Sequence, residues 1–227
     1  MFVALTQEQE QDPYYVDLER VRSDIVVGQV GVPLELTITV VDAGTGSPVA
    51  EAAVDIWQCD PMGEYSEGSA EHTLGKGYLR GVQLTDADGR ARFTTLYPGQ
   101  SAGRAPHINA KVHIAGRVIG DTYAAGHVSH TGQMFFSDDI STEVFKLWPY
   151  RHETPPRVLD EADRVYSEQG GAESTIELTR AGGSLSEGGF KGAITLAVNP
   201  ESTPEVFGTG AAGAAGGSGA AGASPAG

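Results

Sequence analysis

The sequence is poor in cysteine, in basic residues and in long apolar runs. A single cysteine, Cys59, stands in 227 residues. That excludes an internal disulfide framework and any cysteine-rich zinc site. Lysine and arginine number 15 against 30 aspartate and glutamate, a formal net charge of −15. So acidic a surface repels phosphate backbones and anionic lipid surfaces, which argues against nucleic-acid and membrane partners. No stretch approaches the roughly 18 apolar residues of a membrane span. The opening Met1-Phe-Val-Ala-Leu5 lacks the basic start and the length of a secretory leader. The expected location is the cytoplasm, or outside the cell if a leader preceded this numbering. Apolar residues make up 40% of the chain, enough to bury a core.

What is present divides into two parts. From Gly208 to Gly227, 16 of 20 residues are Gly or Ala. Such a segment has little apolar surface to offset its ordering entropy, so 208–227 is expected to be a disordered tail. Residues 1–207 are expected to form one domain. Leu34–Asp42, Ala53–Cys59, Arg90–Leu96, His107–Ala115 and Gly188–Val198 alternate and are rich in β-branched residues. Turn signals separate them, among them Gly44-Thr-Gly-Ser-Pro, Asp86-Ala-Asp-Gly and Ala181-Gly-Gly. Only Ser141–Leu147 and Pro156–Gln169 have a helical character. The expected fold is all-β: an antiparallel β-sandwich of immunoglobulin or prealbumin-like type, with long functional loops and one or two short helices.

The richest chemistry lies between Tyr97 and Asn109. A phenol (Tyr97), a guanidinium (Arg104), an imidazole (His107) and an amide (Asn109) fall within thirteen residues. On a strand, His107 and Asn109 share a face about 6.6 Å apart, whereas His113 is about 20 Å from His107 and cannot join it on one ion. A second cluster, Trp57-Gln-Cys-Asp-Pro-Met-Gly-Glu-Tyr65-Ser66, puts Tyr65 on a loop after a strand. Gln133 sits in another short strand, Gly132-Gln-Met-Phe-Phe. Asp86-Ala-Asp-Gly lacks the later acidic ligand of a calcium loop and reads as a hairpin turn. His127 and His130 read as loop histidines, and Arg80 as a partner for a buried carboxylate.

These pieces resemble the intradiol ring-cleavage dioxygenases. The matching segments are VDIWQCDPMGEYS (54–66), YLRGVQLTDADGRARFTTLYPG (78–99), GRAPHI (103–108) and GQMFF (132–136). Asp12-Pro-Tyr-Tyr-Val, Arg22-Ser-Asp-Ile25 and Gly31-Val-Pro-Leu34 match at the start, and the resemblance is collinear from about residue 7 to about 200. It is similar above all to the small, one-domain bacterial type.

The resemblance implies an oxidoreductase with a mononuclear ferric centre held by two tyrosines and two histidines. Such an enzyme cleaves a small aromatic diol between its hydroxyls with O₂. It assigns Tyr65 and Tyr97 as the tyrosine ligands and His107 as a histidine ligand. Tyr97 would be the one that leaves the metal to take a substrate proton. Arg104 would stabilise negative charge on the substrate, and Gln133 would stand behind the substrate. Three departures stand out. Asn109 occupies the second histidine of His-x-His, so ferric iron should be held more weakly than in a His-x-His relative. Gln100-Ser101 replaces the usual Trp-Tyr pair after Tyr-Pro-Gly. Glu10-Gln11-Asp12-Pro13 replaces the usual Thr-Glu-Gly-Pro.

Three readings follow. The first is a ferric dioxygenase of catechol-type diols with a modified ligand set that includes Asn109, as a monomer or homodimer. The second is an iron-poor or catalytically altered member that binds or transforms a phenolic ligand. The third is a non-enzymatic β-sandwich binding module. Metal content separates the first two. Failure of Tyr65, Tyr97 and His107 to converge within about 4–5 Å favours the third, because ligand bonds are only about 2 Å long.

Overall fold

A computed structural model describes residues 2–17, 20–68, 71–101, 103–124, 126–152 and 156–206. The Gly/Ala-rich segment 208–227 lies outside them. Ten strands are described: β1 (Pro33–Asp42), β2 (Ala53–Trp57), β3 (Arg80–Leu84), β4 (Arg90–Leu96), β5 (His107–Ile114), β6 (Arg117–Ile119), β7 (Thr122–Ala124), β8 (His127–Phe135), β9 (Glu177–Arg180) and β10 (Phe190–Val198). The two α-helices are short, α1 (Asp138–Val144) and α2 (Arg164–Glu168). No helix among the described residues is long and apolar enough to cross a membrane.

Two four-stranded sheets face each other, in the orders β4-β1-β10-β9 and β3-β2-β5-β8. Strands β6 and β7 form a small hairpin apart from both. The sandwich is therefore as expected, with one departure from an antiparallel design. Strands β1 and β10 pair in parallel, Leu34 opposite Phe190 through Asp42 opposite Val198. Strand alternation builds the core. Leu34, Leu36, Ile38 and Val40 of β1 meet Val54 and Ile56 of β2 and Ile108, Ala110 and Val112 of β5. Each fully buried Leu, Ile or Phe contributes roughly 1.5–3 kcal/mol.

Asp86-Ala-Asp-Gly forms a tight turn, with Asp86 Oδ1 accepting from the N–H groups of Asp88 and Arg90. Gly89 takes a positive φ of 74°, and a Cβ there would lie 2.5 Å from Val40 O. The turn is not a hairpin, however. Strands β3 and β4, which it joins, belong to opposite sheets. The chain crosses between layers here, a distinction invisible to local turn chemistry.

The same alternation that turns Ile108, Ala110 and Val112 inward turns His107, Asn109, Lys111 and His113 outward, away from the other sheet. They are nonetheless buried, because the N-terminal segment covers that face. Gln9 N–H donates to Thr131 O, Gln9 Oε1 accepts from Gln133 N–H, and Glu8 Oε2 accepts from Thr131 N–H. The segment thus runs along the free edge of β8. Lys111 Nζ sits 3.6 Å from the centre of the Tyr15 ring.

Candidate functional site

The site lies between this N-terminal segment and the outer face of the β2–β5–β8 sheet. Local chain chemistry delivers Tyr65 to it. After β2, Asp60 Oδ1 accepts from the N–H groups of Met62 and Glu64, and Gly63 turns the chain with a φ of 85°. Burial above all raises the Asp60 carboxyl above its usual range. Arg80 then fixes the returning chain by donating from Nε to Ser66 Oγ and from Nη2 to Ser66 O. Arg80 therefore holds the residue after Tyr65, and the buried carboxylates of Asp55 and Asp12 also act on its charge, as expected.

Tyr65, His107 and Asn109 meet. Tyr65 Oη lies 3.4 Å from His107 Nε2 and 3.2 Å from Asn109 Nδ2. The structure adds a fourth group, the Asp12 carboxylate. Its Oδ2 is 3.3 Å from Tyr65 Oη and 3.9 Å from His107 Nε2. Its Oδ1 accepts from Tyr14 N–H at 2.7 Å. Tyr14 also stacks on Tyr65, ring centres 4.4 Å apart. The cluster is sealed: His107 is 2% exposed, Asn109 1%, Asp12 2% and Tyr65 4%.

Electrostatics follow from that burial. Burial is the largest influence on Asp12 and works against its ionisation. The hydrogen bond and charge of His107, helped by Tyr14 N–H, outweigh it and hold the carboxyl below its ordinary value. Burial, then the charges of Asp12 and Cys59, push the Tyr65 phenol well above its ordinary value.

Arg104 and Gln133 adjoin the cluster as expected. Gln133 stands opposite Asn109 across the β5–β8 pair. Arg104 Nη2 donates to Gln133 Oε1 at 2.5 Å, and Arg104 Nε donates to Asp163 Oδ2 at 2.8 Å. Gln133 Nε2 donates in turn to Glu10 O at 3.2 Å. Asp163 is a site residue that sequence reasoning missed. The sequence placed it inside an expected helical stretch, 156–169, whereas the helix begins only at Arg164 with Asp163 as its N-cap. Burial opposes ionisation of Asp163 most, but Arg104 reverses it and the carboxyl is lowered.

Tyr97 does not join this cluster, and the expectation that it is a metal ligand is corrected here. It extends the inward series Ala91, Phe93 and Thr95 of β4 into the core between the sheets. Its ring packs on Phe136, Tyr150 and Phe190, and its Oη lies 2.7 Å from Ser141 Oγ. Tyr150 Oη donates to Tyr97 O and accepts from Val32 N–H. Strand parity thus places Tyr97 inside the sandwich, while His107 and Asn109 sit on its outside. No other phenol replaces it in the following loop, where Ser101 stands in place of the family's tyrosine of the Trp-Tyr pair.

The family's ferric ligand set is therefore not met by these residues. Of the four expected donors, only Tyr65 and His107 converge with ordinary ligand atoms. Asn109 presents its amide N–H₂ to the cluster, because Nδ2 also donates to Trp57 O at 3.2 Å. A lone neutral amide and a single phenol cannot supply the charge that two phenolates give a ferric ion. Among the described residues, no group of three His, Cys, Asp or Glu side chains converges as a metal site. Three of the other histidines are engaged elsewhere: His130 Nδ1 with Glu8 at 2.6 Å, His72 with Glu64, and His127 with Pro200 O.

Comparison with known proteins places this geometry. Residues 11–143 match a family model described as Dioxygenase. The protocatechuate 3,4-dioxygenase beta chain of Burkholderia cepacia is 33% identical over 114 residues, 48% of this chain and 47% of that one. The chain thus spans about half the length of that curated relative. Among solved structures, an intradiol ring-cleavage dioxygenase from Tetranychus urticae is similar with a TM-score of 0.78 and 30% identity, covering 90% of this chain and 98% of that one. The dioxygenase domain of a carbohydrate-binding fusion from Streptomyces sp. SirexAA-E shares the fold, with a TM-score of 0.59, 22% identity, and coverage of 86% and 97%. With a family model over more than half of its length and a relative matched almost end to end, this chain belongs to the intradiol ring-cleavage dioxygenase family.

Proposed function

We propose that this chain is a catalytically altered member of the family, which binds a small phenolic or catecholic ligand beside Arg104 and does not perform ferric ring cleavage with the family's four-ligand centre. The observation that carries this reading is the position of Tyr97, buried between the sheets with its hydroxyl on Ser141. Arg104 supports the binding role. Its Nε and Nη2 are committed to Asp163 and Gln133, while Nη1 makes no hydrogen bond among the described residues. Its side chain is 21% exposed, more open than the buried cluster behind it. A guanidinium keeps its proton, so it offers a fixed positive charge to a phenolate or carboxylate.

The experiment is a calorimetric titration of the purified chain with catechol and with protocatechuate, alongside O₂ uptake after loading with ferric iron. The expected result is binding that Arg104→Gln weakens at least tenfold, with O₂ consumption no faster than the protein-free blank. Sustained O₂ uptake with a ring-opened product would overturn it.

A second reading, a ferric dioxygenase of catechol-type diols with Asn109 in its ligand set, is favoured by the near full-length match to the Tetranychus urticae enzyme. Its signature is a tyrosinate-to-iron absorption band that moves when catechol is added.

A further inference from the structure

We propose that the cavity between the loop leading from Asp60 to Tyr78 and the turn at Val26–Gln29 binds a small organic cation through a primary ammonium group, which Asp60, Glu64 and Tyr78 receive. The cavity shares no lining residue with the site of Tyr65, His107 and Arg104. The inference therefore goes beyond the phenolic-ligand reading and needs neither that ligand nor iron.

Local chain chemistry builds the cavity. Gln29 N–H donates to Val26 O and closes one wall. Leu79 N–H donates to Ile25 O at 2.7 Å and ties that wall to the end of the loop. The opposite wall is the turn at Asp60, whose Oδ1 accepts from Met62 N–H and Glu64 N–H. The space between them is about 440 Å³, enough for a small molecule.

Three observations point to a cation. The first is a pair of polar groups left open in otherwise buried residues. Asp60 is 8% exposed and Tyr78 6%. Both line the cavity. Asp60 uses Oδ1 in its turn, and neither its Oδ2 nor Tyr78 Oη has a hydrogen-bond partner among the described residues. Neither atom is sealed within the protein, so both open into the cavity. A partly desolvated carboxylate oxygen without a donor is costly, and a ligand that brings N–H groups relieves that cost.

The second is charge. Glu64 lines the same cavity, and after the larger effect of burial its carboxylate helps to push Asp60 up. Burial first, then the charges of Asp60 and Glu64, also raise the Tyr78 phenol above its ordinary value. The opposing groups are committed elsewhere. His72 meets Glu64 Oε2 at 2.9 Å at the exposed mouth, and Arg80 is held by Ser66. Lys76 lines the cavity too, yet among the described residues its Nζ pairs with neither carboxylate.

The third is the fit of the acceptors. An ammonium offers three N–H donors and no acceptor, and here it meets Asp60 Oδ2, Tyr78 Oη and the Glu64 carboxylate. A bare metal ion fits less well, because no three His, Cys, Asp or Glu side chains converge as a metal site among the described residues. A quaternary ammonium has no N–H to give, and Tyr78 alone does not make an aromatic cage. An anion would face two carboxylates.

The test titrates the full chain by calorimetry at low salt with n-butylamine, tetramethylammonium and butyrate. The expected result is one butylamine per chain with a dissociation constant of about 0.1–1 mM. Tetramethylammonium should bind about tenfold more weakly or worse, and butyrate not at all. Asp60→Asn retains an oxygen for the N–H groups of Met62 and Glu64 and should weaken butylamine about tenfold or more. Tyr78→Phe removes a hydroxyl with no partner, so it serves if Asp60→Asn fails to fold by circular dichroism, with an expected loss of about threefold or more. Unchanged butylamine affinity in the folded variants overturns the proposal. Equal binding of tetramethylammonium also overturns it, since that would be attraction to an acidic surface and not to a built site. So does the absence of saturable binding up to about 10 mM butylamine, which would leave Lys76 as the cavity's own cation. Catechol binding is measured on the amine-free chain, so this inference and the phenolic-ligand reading can each fail alone.

Discussion

The Asp163 carboxylate that receives Arg104 Nε is also the N-cap of α2, accepting from the N–H groups of Val165 and Tyr166 and from Ala105 N–H. One buried side chain therefore fixes a guanidinium, a loop and a helix start together.

Removing it leaves a charged group and several backbone donors without an acceptor. Asp163→Ala is expected to cost about 3–5 kcal/mol, and Asp163→Asn less. Urea unfolding measures the difference. A loss under about 1 kcal/mol for Asp163→Ala contradicts the arrangement.

Tyr97→Phe separates a core tyrosine from a ligand tyrosine. In the core, it removes one hydrogen bond to buried Ser141 and keeps the ring packing. The expected cost is about 1 kcal/mol, with metal and catechol affinities unchanged. A tenfold or greater drop in metal affinity would return Tyr97 to the ligand set.

Two buried groups impose opposite pH slopes on stability. Burial, then the charge of Lys111, lowers the His113 pKa to about 4. The unfolded chain then binds the extra proton first, so stability present above about pH 6.5 is lost as pH falls toward 4. Burial, then Asp138, raises the Asp160 pKa to about 7. Here the folded chain holds the extra proton, so stability falls as pH rises from about 4 to 7. The two trends offset each other in the wild type. His113→Phe should expose the falling slope, and Asp160→Asn the rising one, each by roughly 1–3 kcal/mol between pH 4.5 and 7. Urea midpoints across that range decide it, and parallel profiles for both variants and the wild type would refute it.

Asn109→His supplies the imidazole that the family motif lacks. It is expected to raise retention of added iron tenfold or more, because position 109 already reaches Tyr65 Oη at 3.2 Å. Catechol-dependent O₂ uptake should remain at the blank, since a second phenolate is still missing. Oxygen uptake in this variant alone would show that one substitution had disarmed the centre.

Much of this molecule was legible in the sequence. Arg90–Leu96 as a strand is matched to the residue, and the loops carrying Tyr65 and Arg104 and the strand that opens at His107 were found by motif and turn chemistry. Tyr97 was misread because a motif fixes order along the chain and not strand parity. The series Ala91, Phe93, Thr95 and Tyr97 points inward, and only knowledge of which sheet β4 joins shows where inward leads. The parallel β1–β10 pair was equally hidden, since it joins segments about 150 residues apart. Asp12 was visible as a departure from the family pattern, but its contact with Tyr65 spans 53 residues and depends on how the N-terminal segment folds back.

That segment has a second consequence. By lying along β8, Glu8 and Gln9 occupy backbone groups of an edge strand that would otherwise be open to another chain. The stretch that carries Asp12 into the cluster thus also covers part of that edge. Proteolytic clipping ahead of Asp12, or a bulky fusion that lifts this stretch from the sheet, would uncover a sticky ladder and dismantle the donor cluster in the same event.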